Sequence, residues 1–347
     1  MIVKNLLILG AGNNGAIEKF YSAGLEKCGI SVQTYIIADQ YYAAINKNII
    51  NKVLNKISAD IFYKGINDRL LVFLKNKTFD VILVFKGMEL FPGTVEHLHN
   101  HATVVANYNG DHPFTYYFPG SGNKNVLNSI KHFDVHFSYA GSIVEQLKQK
   151  FRVSAFCVPF GYNSNSATSL PIVDSVYNDR FLFIGAYDHE RAVYLNQLKS
   201  DHLDIYGENK WRTRNYLKPY LIRAYKNRPL YGKDYVIAIR NATGIINLLR
   251  KQNVNEGSHN MRTFEVPGYG GLLVSERTHE QLSFFEDGKE AIFFDSIHEL
   301  GEKLLYLSKN LHVVQSIKRA AFKRCLQSDY SYDNRSRQLI HLIECNF

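Results

Sequence analysis

Long apolar runs are missing from these 347 residues, and none approaches the roughly 20 needed to cross a bilayer as a helix. Cysteine is scarce too. Cys28, Cys157, Cys325 and Cys345 are scattered, with no CxxC pair and no zinc spacing, which excludes a disulfide framework and suits a reducing cytoplasm. A charged tail is also lacking: the net charge of +9 divides into 16 basic and 11 acidic residues up to position 170, and 25 and 21 beyond it. The opening Met1–Gly10 has a short apolar stretch that runs into a glycine turn instead of a small-residue cleavage site. It is expected to be a first buried strand and not a signal peptide.

What is present is a β-α-β rhythm over most of the chain. Strand-like runs at Ile2–Leu9, Ser31–Ala38, Asp80–Phe85, Thr103–Asn107, Asp134–Ser138 and Ser154–Pro159 are separated by segments able to hold a helix, the first from about Asn14 to Lys27. β-branched runs flanked by Gly and Asn predict a parallel sheet covered on both faces, doubly wound by right-handed crossovers. Residues 161–179 are polar and read as a linker. A second series follows at Arg180–Ile184, Leu203–Tyr206, Gly244–Leu248, Leu272–Ser275 and Ala291–Phe294. From Ser296 onward the chain is helix-like, with Leu300, Leu304, Leu305 and Leu307 on one stripe and Ile340, Leu342 and Ile343 on another. The expectation is α/β, with two doubly wound Rossmann-like domains, 1–165 and 166–347, facing across a cleft and followed by C-terminal helices. In such sheets ligands sit beyond the carboxyl ends of strands.

Two segments carry chemistry. Gly10-Ala11-Gly12-Asn13-Asn14-Gly15 follows the first strand, and its glycines Gly10, Gly12 and Gly15 let backbone amides approach an anion. Asp39, at the end of the second strand, stands where a ribose-binding acid would sit in a dinucleotide enzyme. One reading is therefore an NAD-dependent oxidoreductase; the other is an ordinary glycine-favouring first turn. The second segment is Asn255–Gly271, a polar loop leading into a short helix before the strand at Leu272. Free amides with Gly257, Ser258, Asn260 and Arg262 suit a diphosphate, and Glu265 suits two ribose hydroxyls. The plainer alternative makes Ser258 or Asn260 a helix cap and Glu265 a surface acid.

Arg262–Leu273, followed by Phe285-Glu286-Asp287-Gly288-Lys289-Glu290, resembles the C-terminal half of the CgeB-like (spore maturation protein) glycosyltransferases. Phe183–Arg191 is similar to that family's first C-domain strand and turn, and Tyr330–Arg335 to its final helix. The resemblance covers residues 180–340; before that it extends only to architecture and to Asp111-His112-Pro113-Phe114. It implies a GT-B fold with the nucleotide sugar, of UDP or GDP type, on the C-terminal domain. Glu265 then holds the donor ribose, Arg191 neutralises the diphosphate, and no other cofactor is needed. Many retaining relatives carry two glutamates eight positions apart; here Gly257 stands at that place and Glu256 lies nine before Glu265.

With no DxD pair in the chain, Arg191 and Arg262 are expected to replace a metal at the leaving group. Asp111 and His112 are the candidate bases, and ordinary turn chemistry is their alternative. The acceptor is expected to be a glycan, a lipid-linked sugar or a protein, in surface polysaccharide or glycoconjugate synthesis at the cytoplasmic side. Ile45, Ile49, Ile50, Val53, Leu54 and Ile57 form an apolar helical stripe, opposite Asn48, Asn51 and Asn55 and bordered by Lys47, Lys52 and Lys56. That stripe is expected to pack on the sheet, with a membrane-surface helix as the sharper alternative. The basic stretch 208–228, containing Trp211, Tyr216, Tyr220 and Tyr225, suits either anions or a solvated face; no nucleic-acid module accompanies it.

Overall fold

The computed structural model describes residues 1–13, 15–117, 120–168 and 176–347; Asn14 of the glycine motif and the middle of the expected linker lie outside them. The chain divides into two compact units, Met1–Phe160 with Tyr332–Phe347, and Gly161–Ser331. Each is a wholly parallel sheet clothed by helices, so both are Rossmann-like domains. Among the described residues no helix is long and apolar enough to cross a membrane.

In the first unit, strands β1 (Asn5–Gly10), β2 (Ser31–Ile36), β3 (Phe79–Phe85), β4 (Ala102–Asn109), β5 (Val135–Ser138) and β6 (Ala155–Cys157) lie in the order β2-β1-β3-β4-β5-β6. The central strands are buried on both faces, which is why they read as unbroken Leu, Ile and Val runs. β2 closes the edge and is largely solvated.

The C-terminal helix Tyr332–Asn346 belongs to this unit and not to the domain in which it was expected. The reason is close packing on Ile17–Lys27. A Cβ built on Gly24 would lie 2.3 Å from Ser336 Oγ, so only glycine admits the approach. Phe20 stacks on Tyr332 with centroids 5.1 Å apart, Lys27 pairs with Asp333 at 2.7 Å, and Leu339 and Ile343 are fully buried.

The second unit holds β7 (Phe181–Ile184), β8 (Leu203–Tyr206), β9 (Gly244–Asn247), β10 (Leu273–Glu276) and β11 (Ile292–Phe294), in the order β11-β10-β9-β7-β8. Its helix Ile297–Lys309 buries Leu300, Leu304 and Leu307 but exposes Leu305, which sits off the stripe it was assigned to. The basic stretch is structural for the most part. Trp211 is a core residue, and Lys210, Arg223, Lys226 and Arg228 pair with Glu208, Asp201, Asp204 and Asp234.

Candidate functional site

In the second unit the chain leaves β7 toward β8 on one side and later returns to place β9 on the other. The carboxyl ends of β7 and β9 therefore form the topological switch point. The expected donor residues gather around these ends. After β7 the chain turns through Gly185, whose carbonyl accepts from Trp211 Nε1 at 2.8 Å. Asp188 then caps the helix His189–Leu198 by accepting from the Arg191 amide at 3.1 Å. This seats Arg191 in the first turn, 7% exposed, with its guanidinium over the Phe183 ring at 5.9 Å.

Arg262 approaches the same place from the loop beyond β9: a Cβ on Gly185 would lie 3.5 Å from its Nη2. The Nε atoms of Arg191 and Arg262 are both buried without a hydrogen-bond partner. Burial, followed by repulsion from Arg262 and Arg250, holds the Arg191 guanidinium down to about 10. This is opposed in part by Asp188 and by Glu276 at the end of β10. Burial raises the Glu276 carboxyl, while the Leu249 amide and Arg191 lower it. The cluster is thus short of negative charge, an arrangement that a phosphate group would relieve.

Glu265 lies one turn along the helix Arg262–Gly268. Burial raises its carboxyl above the usual range, against the Tyr235 hydroxyl, which donates to it at 2.8 Å, and the nearby Arg262 charge. The helix is held from behind by aromatic contacts. Phe264 is fully buried, edge-on to His259 and Tyr330 at 5.3 and 5.1 Å. At its far end, a Cβ on Gly268 would lie 2.4 Å from the Tyr162 ring, and one on Gly271 2.8 Å from the Ile239 carbonyl.

The other expected donor contacts are occupied within the fold. The amides of Arg262 and Thr263 bond to Asn260, and those of Phe264 and Glu265 to the Met261 carbonyl, so the helix start has no free N–H in that turn. Asn260 exchanges hydrogen bonds with Asn247. Ser258 is fully buried and bonded to Asn253, and Gly257 takes φ 61° while its carbonyl accepts from the Glu280 amide. Three residues that sequence reasoning did not assign join the site: Arg250, Glu276 and Tyr235. The first two follow or end a strand at the switch point, a signal available in the sequence. Tyr235 comes from a distant helix and had none.

In the first unit the glycine loop also lies at a switch point, between β1 and β3. Two of its amides, those of Ala11 and Gly12, are already taken by the protein's own carboxylates. Glu18 accepts from Ala11 at 2.9 Å and Asp39 from Gly12 at 3.2 Å, while Asn13 accepts from Gly15 at 3.0 Å. A Cβ on Gly10 would meet Glu18, and one on Gly12 would meet Ile36 and Asp39. A pyrophosphate here would have to displace two carboxylates, so the dinucleotide-oxidoreductase reading is not favoured. Asp111 pairs with Lys86 at 2.7 Å. His112 is buried, accepts from the Thr115 amide at 3.1 Å and stands edge-on to Phe114 at 4.3 Å, which gives it a turn-forming part. Among the described residues, no group of three His, Cys, Asp or Glu side chains is placed to hold a metal ion.

Two parallel-sheet Rossmann-like domains, the second with an arginine-lined switch point, define the GT-B class of fold. Comparisons with known proteins agree. A family model described as glycosyl transferase-like matches residues 191–341; the match does not confirm the CgeB-like group. No curated protein matches the chain. Among solved structures, the Anabaena protein HepE in complex with UDP-glucose is similar at TM-score 0.64 and 9% identity, covering 98% of this chain and 99% of that one. A glycosyltransferase from Rickettsia africae aligns at 0.61 and 12%, covering 98% and 97%. A UDP-N-acetylglucosamine 2-epimerase aligns at 0.57 and 13%, covering 99% and 95%.

Proposed function

We propose that this protein is a glycosyltransferase that takes a sugar from a UDP- or GDP-type donor to a hydroxyl-bearing acceptor, a glycan, lipid-linked sugar or protein, in glycoconjugate synthesis. One observation carries the reading: a buried Arg191 and a half-buried Arg262 at the β7–β9 switch point both have buried, partnerless Nε atoms, and their charges repel. The sequence resemblance, the family model over residues 191–341 and the UDP-glucose complex of the structural neighbour HepE support it.

As the bond from the anomeric carbon to the diphosphate oxygen breaks, negative charge collects on the departing diphosphate. Arg191, Arg262 and Arg250 stabilise that charge from fixed positions and need no divalent ion. Glu265, oriented by Tyr235, accepts hydrogen bonds from the ribose hydroxyls. Asp111, held by Lys86, is the acceptor-side carboxylate available to take the acceptor's proton. His112 is committed to its turn.

The test is a thermal-shift screen of UDP, GDP, CMP and their sugars, since binding to the native state raises the melting temperature. Donor turnover is then followed by NMR. Release of nucleoside diphosphate in the presence of acceptor supports transfer. Absence of any nucleotide shift would overturn the donor site. Conversion of the donor to an isomer without release of diphosphate would overturn the transferase, because epimerases share this fold.

A further inference from the structure

Of the apolar stripe of the first unit, Ile45 and Leu54 are half-buried, while Ile49, Ile50, Val53 and Ile57 stay exposed instead of packing on the sheet. The helix Ile49–Ile57 is turned with its polar side inward. Asn48 caps it by accepting from the Asn51 amide at 2.8 Å; Asn51 Nδ2 donates to the Ala44 carbonyl at 2.7 Å and Asn55 Oδ1 accepts from the Tyr41 hydroxyl at 2.7 Å. On the opposite side Ile49, Ile50, Val53 and Ile57 are 72%, 64%, 52% and 75% exposed, and Ile61, just beyond, is 54% exposed. At 100° per residue Ile49, Val53, Ile57 and Ile50 fall within about one third of the helix circumference, and Asn51 and Asn55 lie across from them. The patch is on the order of 500 Å², the size of the largest apolar patch on a typical monomer, and such patches are often functional.

Its border decides what covers it. Lys52 and Lys56 run along one edge of the apolar face and Lys47 stands before its first residue. Between Gln40 and Ala59 the chain has no carboxylate, and Asp60, exposed beside Ile61, is the first one after it. A second copy of the chain would bring these lysines against their own kind. An anionic lipid surface satisfies both parts: the isoleucines enter the acyl boundary and the ammonium groups meet lipid phosphates.

We propose that Ile49–Ile57, with Ile61, is an interfacial helix by which the protein docks on membranes rich in anionic lipid. The proposal is independent of the donor site and extends the function by bringing the enzyme to the surface where a lipid-linked acceptor resides. The experiment is co-sedimentation of the full chain with vesicles of phosphatidylcholine alone or with about one third phosphatidylglycerol. Binding is expected to the mixed vesicles, to weaken with added salt, and to fall by roughly tenfold or more in Ile49→Glu/Ile57→Glu and in Lys52→Glu/Lys56→Glu. These positions are exposed, so both variants should fold. A melting-temperature rise with UDP equal to that of the unaltered protein checks this and separates the two proposals. Vesicle binding unchanged in Ile49→Glu/Ile57→Glu, or absent from the unaltered protein, overturns the proposal. So does a dimer that this variant converts to monomer, since the face would then be a self-interface.

Discussion

Replacing Arg191 by Met separates a ligand-binding arginine from a structural one, because the two roles predict opposite signs. The side chain is 7% exposed, its Nε has no partner, and its guanidinium is held at about 10 against an ordinary 12.5. That difference corresponds to on the order of 3 kcal/mol spent in keeping the charge buried beside Arg262 and Arg250 without an anion. Methionine fills much of the same volume and removes that cost. The empty Arg191→Met protein should therefore be as stable as the unaltered one or more so, by up to roughly 1–3 kcal/mol. This is a rise of about 2–4 °C per kcal/mol in the unit that carries it. Nucleotide binding should move the other way, since a charge-assisted hydrogen bond is worth about 1.5–3 kcal/mol, or roughly 10- to 150-fold in UDP affinity. Differential scanning fluorimetry of the empty protein and isothermal titration with UDP measure the two quantities on one preparation. A variant that melts several degrees lower and binds UDP as before would refute the reasoning and make Arg191 a packing residue.

Glu265→Gln should weaken UDP binding by about 1.5–3 kcal/mol, with a smaller loss when 2′-deoxy-UDP is the ligand; equal losses for both would remove Glu265 from the ribose. Gly12→Val places a Cβ 2.5 Å from Ile36 Cδ1, so it should destabilise the first unit by about 1–3 kcal/mol and impair transfer while leaving UDP affinity intact. Loss of nucleotide binding in that variant alone would restore the dinucleotide reading. Sugar transfer should persist in EDTA; abolition by the chelator and rescue by magnesium or manganese would show a required metal. His136 is buried and its Nε2 bonds to the Ile130 carbonyl at 2.7 Å, with burial pulling its pKa down to about 4. Since its unfolded value lies near 6.5, the unfolded chain takes up the proton first as pH falls. The stability present above pH 6.5 should be lost progressively toward pH 4, by on the order of 3 kcal/mol, and His136→Asn should lose that part of the slope in urea titrations.

All eleven strands among the described residues lie where the sequence placed them, within about three residues at either end. Strands buried on both faces must be apolar throughout, and the turns between them must be Gly- or Asn-rich, so local composition alone determines this much. The motif around Arg262 and Glu265 was legible for a similar reason: a polar loop before a short helix and a strand marks the carboxyl edge of a sheet. What each residue does there was decided by contacts from elsewhere in the chain. Asn260 and Ser258 have the chemistry of ligand contacts, but partners at Asn247 and Asn253 occupy them. The first glycine loop has the spacing of a phosphate cradle, yet Glu18 and Asp39 take its Ala11 and Gly12 amides. Periodicity alone puts isoleucines and asparagines on opposite sides of Ile49–Ile57. Which side faces inward depended on whether Tyr41 and Ala44 stood ready to bond the asparagines. The return of the last helix rested likewise on a glycine more than 300 residues earlier. Spacing within a segment is a property of the chain; whether a polar group is free for a ligand or already bonded depends on what folding brings beside it.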